Sequence, residues 1–226
     1  MIVDVSHDLK TPLTVVQGYA KALADHKVPE DRVESYLQTI NQKAIAASEL
    51  MDSLFAYARM EHPEYKLNCV EVDFHEWLAA YLSSREEEIR LKGFFLDTEI
   101  PDDIELASID LNLFPRVFDN LINNTLKYNA VGTHILVKVT EHNDKMTIYV
   151  ADDGVGISDE IGDRIFEAFV TTNEARTSGK GTGLGMSIVK RIVELHGGTI
   201  SLGHLDGYAT TFVIAMKRGF TKKANA

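Results

Sequence analysis

The sequence predicts an α+β protein: an antiparallel helical hairpin that pairs with a second copy into a dimeric four-helix bundle, followed by a two-layer α/β sandwich. Three observations carry this. Residues 31–61 hold a heptad of apolar side chains, the pattern of a bundle seam. Beyond His62-Pro63 the pattern changes to short alternating segments, the mark of strands with one wet face. Between those strands lie three longer stretches of helical period.

In the first region, Val33, Leu37, Ile40, Ala44, Ala47, Met51, Leu54 and Ala58 alternate by four and three, and Leu50 and Tyr57 widen the stripe. Upstream, Val5, Leu9, Leu13, Val16, Ala20 and Leu23 share one face of a helix over residues 2–24. Pro12 interrupts the spacing; it cannot donate to the carbonyl of Asp8, so a bend is expected just after His7. Residues 26–31 form the turn, with Pro29 and Asp31 as starting signals for the second helix. Two helices make a thin core, and pairing about a two-fold axis completes it, so a homodimer is expected. The alternative is a hairpin that folds onto the second domain in a monomer.

In the second region, strands are expected over 65–70, 95–100, 135–140, 146–151, 199–202 and 210–215. Helices are expected over 74–92, 111–129 and 184–196, with Asp110 as N-cap of the second and Gly197-Gly198 ending the third. Residues 219–226 read as a flexible tail.

Composition narrows the classes. The chain has 226 residues, room for one or two domains, and 45% hydrophobic with 25% charged side chains is ordinary for a soluble globular protein. A formal net charge of -11 argues against nucleic-acid binding. The single cysteine, Cys69, permits no internal disulfide and fits a reducing cytosol. No apolar run reaches the ~18 residues needed to span a bilayer. Met1 opens directly in a helical pattern without a cap, so an upstream part is expected to be missing.

Four clusters carry chemistry. The first is Ser6-His7-Asp8-Leu9-Lys10-Thr11-Pro12. A neutral imidazole is a competent nucleophile near neutral pH, and an adjacent carboxylate can hold one ring nitrogen as N–H. Thr11 lies one turn beyond His7 on the same face. A lone histidine is more often structural, so the neighbours matter. The second runs from Asp119 to Tyr128, where Asn120, Asn124, Lys127 and Tyr128 share one helix face. Asparagines are poor helix formers, but their carboxamide oxygens suit Mg²⁺; Lys127 can meet a phosphate and Tyr128 a base. A solvated polar face is the bland reading. The third is Asp152-Asp153-Gly154-Val155-Gly156-Ile157 at a strand end, where a carboxylate can accept from an exocyclic amine; a simple β-turn explains it almost as well. The fourth is Gly179-Lys180-Gly181-Thr182-Gly183-Leu184-Gly185 before a helix, an anion cradle that is neither a P-loop nor a dinucleotide fingerprint. Residues 170–178, with Arg176, read as a mobile lid.

In this order the clusters resemble the boxes of sensor histidine kinases of two-component systems, over nearly the whole chain. Residues 1–62 resemble the dimerisation and histidine phosphotransfer domain, and 66–218 the catalytic ATP-binding domain of Bergerat type. Asn120–Tyr128 match the N box, Asp152–Ile157 the G1 box, Arg164–Phe169 the F box and Gly181–Gly185 the G2 box. The resemblance implies ATP-dependent autophosphorylation of His7, with Asp8 as general base, and transfer to an aspartate of a response regulator. It implies Mg²⁺ on Asn124, phosphate contacts from Asn120 and Lys127, and Tyr128 beside the adenine. Asp152 would read the adenine amine, with Gly154, Gly156 and Ile157 shaping the base pocket. Lys180, Gly181, Thr182, Gly183, Leu184 and Gly185 would cradle phosphate, Arg176 would stabilise it in transfer, and Phe166 and Phe169 would anchor the lid. Thr11 would orient water for phosphatase action on the partner. The fragment would be cytoplasmic, its parent anchored in the membrane through the upstream region. Two departures, Thr125 in place of the usual alanine and Ala209 in place of a common glycine, are expected to touch none of these roles. The rival class is a Bergerat ATPase of gyrase, chaperone or mismatch-repair type. It needs an acidic residue on the N-box helix, and Asp119 there points about 100° away from Asn120.

Overall fold

The computed structural model describes residues 2–102, 106–142, 145–170 and 183–217, with the backbone alone for residues 2–8 and 159. The chain divides into two compact units, Met1–His62 with Glu167–Gly185, and Pro63–Phe166 with Met186–Ala226.

The first unit is built on two helices. Helix α1 (Ile2–Ala24) runs through Pro12 without interruption. It ends in a Schellman motif: Lys27 N–H donates to Ala22 O (3.0 Å) and His26 N–H to Leu23 O (3.1 Å). His26 takes φ 52°, a left-handed position that glycine more often fills. A single 3₁₀ turn, Glu30–Arg32, starts after Pro29 and leads into α2 (Val33–Glu61). The rings of Tyr19 and Tyr36 meet across the hairpin at 4.4 Å.

The heptad separates into two rows. Val33, Ile40, Ala47 and Leu54 are buried or half-buried, and Leu50 joins them. Leu37, Ala44, Met51 and Ala58, also seven apart, are exposed; Leu37 keeps 49% of its surface and Met51 44%. Ile45, Phe55 and, on α1, Leu13 are exposed as well.

The second unit contains a five-stranded sheet in the order β2-β4-β5-β7-β6. Its strands are β2 (Phe95–Glu99), β4 (His134–His142), β5 (Lys145–Asp152), β6 (Thr199–Leu202) and β7 (Thr210–Lys217). The β2–β4 pair is parallel and the rest antiparallel. A separate two-stranded ladder joins β1 (Cys69–Asp73) to β3 (Leu106–Asp110). The expected strand at 65–70 starts later, and β3 is an addition: five residues whose partner lies some 40 positions back leave no local signal.

Among the described residues, three helices supply the other layer: α3 (Phe74–Leu91), α4 (Pro115–Tyr128) and α6 (Gly185–Leu195); α5 (Asp159–Gly162) is one short turn. Asp73 caps α3 by accepting from Glu76 N–H (2.9 Å). Asp110 does not cap α4. It ends β3, its carboxylate accepts from Asn112 and Leu113 N–H, and a turn intervenes before Pro115 opens the helix. Asp110 also takes Asn68 N–H (2.9 Å) and gives its own N–H to His196 Nε2 (3.0 Å).

Pleating decides what the sheet buries. Val139, Ile148 and Ile214 stand abreast, as do Val137, Val150 and Phe212. All six are buried, with Leu121, Ile122, Val189 and Ile192 of the helices. One step further along, the same row holds Ile135, Asp152 and Thr210. A carboxylate therefore occupies an inward position of a central strand.

Candidate nucleotide and phospho-acceptor sites

Asp152 retains 4% of its surface. Its Oδ2 accepts from Thr125 Oγ1 (3.0 Å), and its Oδ1 from Asn129 Nδ2 (3.1 Å) and Gly154 N–H (3.1 Å). The Thr210 side chain is a fourth donor. Burial pushes the carboxyl above the usual carboxylate range, while the bonds from Thr125, Gly154, Thr210 and Asn129 act against that shift. The backbone carbonyl of Asp152 also takes Ala209 N–H (2.8 Å), tying β5 to the start of β7.

The loop after Asp152 is fixed by close approach. Asn129, at the end of α4, accepts Val155 N–H on its Oδ1 (2.9 Å) while its amide grips Asp152. A Cβ on Gly154 would overlap that carboxamide. Gly156 takes φ 77°, so its place in the turn also calls for glycine. Ile157 lines a groove of about 640 Å³ with Ser158, Phe166 and Leu202.

On α4 the polar and apolar faces are distinct. Val117, Phe118, Leu121, Ile122 and Thr125 are buried, Asn120 and Asn124 half-buried, and Lys127 and Tyr128 exposed. Asn120 Nδ2 donates to Arg116 O (2.7 Å), and Lys127 Nζ lies 5.5 Å from the Tyr128 ring centre. Asp119 looks elsewhere: it accepts from Tyr81 OH (2.7 Å) and pairs with Arg85 (3.3 Å) on α3. Among the described residues no group of three or more His, Cys, Asp or Glu could hold a metal. The half-exposed carboxamide oxygens of α4 are the hard donors available, and they suit an ion that arrives with phosphates and keeps waters.

Phe166 packs edge-on against Phe212 at 6.2 Å. Phe169, with φ 67°, donates its N–H to Gly183 O (2.8 Å). A Cβ on Gly183 would come within 2.7 Å of Phe169 backbone. Leu184 is buried and Gly185 opens α6. Arg176, Lys180, Gly181 and Thr182 lie outside the described residues. His7 and Asp8 belong to α1, but their side chains also lie outside. Thr11 follows on α1 and is exposed.

The expectation that Thr125 touches no named role fails, because its hydroxyl binds Asp152 directly. Asn129 is a further residue of this site that motif reading passes over. Parity was the available signal for both carboxylate and hydroxyl: Met146, Ile148, Val150 and Asp152 alternate inward, and Thr125 continues the buried stripe of α4 four residues after Leu121.

A helical hairpin joined to a mixed-sheet unit with a buried, multiply bonded aspartate at a strand end defines a class, and comparison with known proteins identifies it. Residues 1–63 match the family model for the His Kinase A (phospho-acceptor) domain. Residues 109–219 match the histidine kinase-, DNA gyrase B- and HSP90-like ATPase. The chain is 32% identical over 220 residues to the sensor histidine kinase YcbM of Bacillus subtilis, covering 96% of this chain and 71% of that protein. It is 33% identical to the sensor protein GtcS of Aneurinibacillus migulanus over 84% of this chain and 52% of that protein. For the sensor protein SrrB of Staphylococcus aureus (strain N315) the identity is 32%, over 96% of this chain and 37% of that protein. The fold is shared with the Acinetobacter baumannii histidine kinase AdeS (TM-score 0.75, 21% identity, 95% of this chain and 98% of that one). It is shared too with histidine kinase ThkA solved in complex with response regulator protein TrrA (TM-score 0.78, 21% identity, 100% of this chain and 62% of that one). The chain belongs to the sensor histidine kinases of two-component systems, protein-histidine kinases with an ATP-binding ATPase domain. It spans about half the length of GtcS and less of SrrB. Among the described residues, no helix is long and apolar enough to cross a membrane.

Proposed function

We propose that this chain transfers the γ-phosphoryl group of ATP to His7 and then to an aspartate of a response-regulator receiver domain. The observation that carries the reading is the pairing, in one chain, of a phospho-acceptor hairpin with an ATPase unit whose buried Asp152 presents a carboxylate at a strand end. In this reading Asp152 accepts from the adenine amine, with Gly154, Gly156 and Ile157 around the base and Tyr128 at its edge. Asn124 holds Mg²⁺, which would neutralise charge on the phosphates. Asn120, Lys127 and the segment from Lys180 to Gly185 position those phosphates, with Arg176 beside the group in transfer. One imidazole nitrogen of His7 attacks γ-phosphorus as the bond to the β,γ-bridging oxygen breaks and ADP leaves. Asp8 takes the imidazole proton.

Residues 1–62 act as the dimerisation and phospho-acceptor domain and 66–218 as the catalytic domain, and the active form is a homodimer. The exposed row of Leu37, Ala44, Met51 and Ala58 supports pairing through α2. That ThkA was solved with response regulator TrrA supports a receiver-domain partner. Thr11 orients water when the same site hydrolyses phospho-aspartate on that partner. The chain works in the cytoplasm, where ATP is supplied, and its parent is anchored in the membrane upstream. The rival clamp-type ATPase is disfavoured by Asp119, the acidic group nearest the asparagine face, which is engaged by Tyr81 and Arg85.

Incubation with γ-labelled ATP should give acid-labile, base-stable phosphate on the chain, and His7→Gln should remove it while ATP still binds. Label that persists on the His7→Gln protein would overturn the assignment.

A further inference from the structure

Asp152 is gripped from α4 by two side chains one helical turn apart. Thr125 donates to Oδ2 and Asn129 to Oδ1, at 3.0 and 3.1 Å. Asn129 lies just outside the motifs that announce the nucleotide site, Thr125 is a departure within one of them, and each sits where local rules would place something else. Thr125 is a buried hydroxyl on the apolar stripe of α4, directly after Leu121 and Ile122 in that stripe. Asn129 follows the last residue of the helix, accepts Val155 N–H, and lies so close to Gly154 that a Cβ there would overlap its carboxamide.

A carboxylate offers roughly four lone-pair positions. Gly154 N–H and the Thr210 side chain also donate to this one. Four protein donors therefore fix the plane and rotamer of the group from both sides. They also supply the polar contacts that an inward position in the sheet denies it. A carboxylate oxygen accepts more than one donor at a time, so a ligand amine can share Oδ2 with Thr125 while the hydroxyl keeps its hold.

We propose that Thr125 and Asn129 are positioning residues for base selection: they hold the Asp152 carboxylate in the orientation that reads an exocyclic amine. This rests on the reading of Asp152 as the adenine contact. The selectivity resides in a two-point clamp from the end of α4, and the same clamp sets the G1 loop, because Asn129 binds the carboxylate and Val155 together.

The test compares two nucleotides that differ only at the amine. ATP and purine riboside triphosphate, which lacks the 6-amino group, are titrated in the presence of Mg²⁺ against the full chain and against Thr125→Val, Thr125→Ser and Asn129→Ala. The unaltered chain should prefer ATP. Thr125→Val and Asn129→Ala should each shrink that preference about tenfold, the loss expected for one hydrogen bond to a charged group. Affinity for the purine triphosphate should stay nearly constant, and Thr125→Ser, which keeps the hydroxyl, should keep the preference. Equal weakening of both nucleotides would mean that the residues serve the fold alone, and the clamp would be refuted. An unaltered chain with no preference for ATP would overturn the reading of Asp152 itself, a result distinguishable from failure of the clamp. Should Asn129→Ala fold poorly, the Thr125 pair still decides the question.

Discussion

The two units solve the burial problem in opposite ways. The ATPase unit closes its own core: Phe74, Leu78, Phe114, Phe118, Ile122, Ile148 and Ile214 have essentially no exposed surface. The hairpin does not. Ala47, Leu50 and Met60 are its buried residues on α2, while Leu37, Ala44, Met51 and Ala58 repeat every seven residues in the open. One unit is complete as a single chain; the other has the surface of half a bundle. The ATPase unit can therefore hold a buried polar site such as Asp152, which demands fixed surroundings. The hairpin carries His7, the proposed phospho-acceptor, on a helix that two protomers share in the proposed dimer.

The largest effect expected from breaking this division lies in the ATPase unit. Asn124→Ala removes one half-exposed carboxamide from α4 and leaves the buried stripe intact. Autophosphorylation should fall on the order of 10²–10³-fold, as when a preorganised charge-stabilising contact is lost. Unfolding temperature should hardly move. Near-normal rates of labelling would mean that the metal is held elsewhere.

Next comes the hairpin's chemistry. Thr11→Ala keeps His7, Asp8 and the nucleotide site. Hydrolysis of a phosphorylated receiver needs a water in line with phosphorus, whereas the proposed autophosphorylation uses the imidazole and Asp8 and no water. Phosphatase activity should therefore drop on the order of 10²-fold while labelling from ATP stays within a few-fold. Equal loss of both activities would make Thr11 a structural residue beside Pro12.

The hairpin's exposed row gives a smaller and more physical test. Leu37→Lys or Met51→Lys should weaken association about 10–100-fold each, the value of one large side chain buried between protomers. Unfolding of the hairpin should depend on protein concentration, and that of the ATPase unit should not. Light scattering that finds a monomer for the unaltered chain at micromolar concentration would remove the dimer and this contrast together.

The parts of this molecule differed in how openly the sequence declared them. The hairpin, the three long helices and the strands from β4 onward were legible because their periods are long or their neighbours are adjacent in sequence. The split of one heptad into an inner and an outer row was not, since Leu37 and Ile40 look alike until α1 is in place. Strand β3 escaped because it is short and its partner β1 is distant in sequence. At the nucleotide site, the glycines and Asp152 stood out by motif. Thr125 did not, because a threonine on an apolar stripe reads as tolerated filler until register shows what it faces.

The smallest effect is a pair of opposed pH dependences within the ATPase unit. Burial lowers the pKa of His196, whose ring accepts Asp110 N–H at Nε2 and donates from Nδ1 to Ile192 O (2.7 Å). A group whose folded pKa lies below its unfolded value of about 6.5 contributes stability above that pH, and the contribution is lost as pH falls through the folded value. Asp152 has the opposite sign. Its folded pKa is raised by burial, so its contribution is full below the unfolded value of about 3.9 and fades as pH rises through the folded one. Acidification from neutral pH should first lower the unfolding temperature of this unit by a few degrees, and His196→Asn should flatten that limb. At lower pH the Asp152 contribution returns, while, on the proposed adenine contact, ATP affinity should fall because a protonated carboxyl is a poorer acceptor for the amine. Stability and binding then move in opposite directions over the same interval. Calorimetry and nucleotide titration on one sample series measure both, and a parallel fall of the two across the Asp152 interval would show that its folded carboxyl titrates below its unfolded value and not above it.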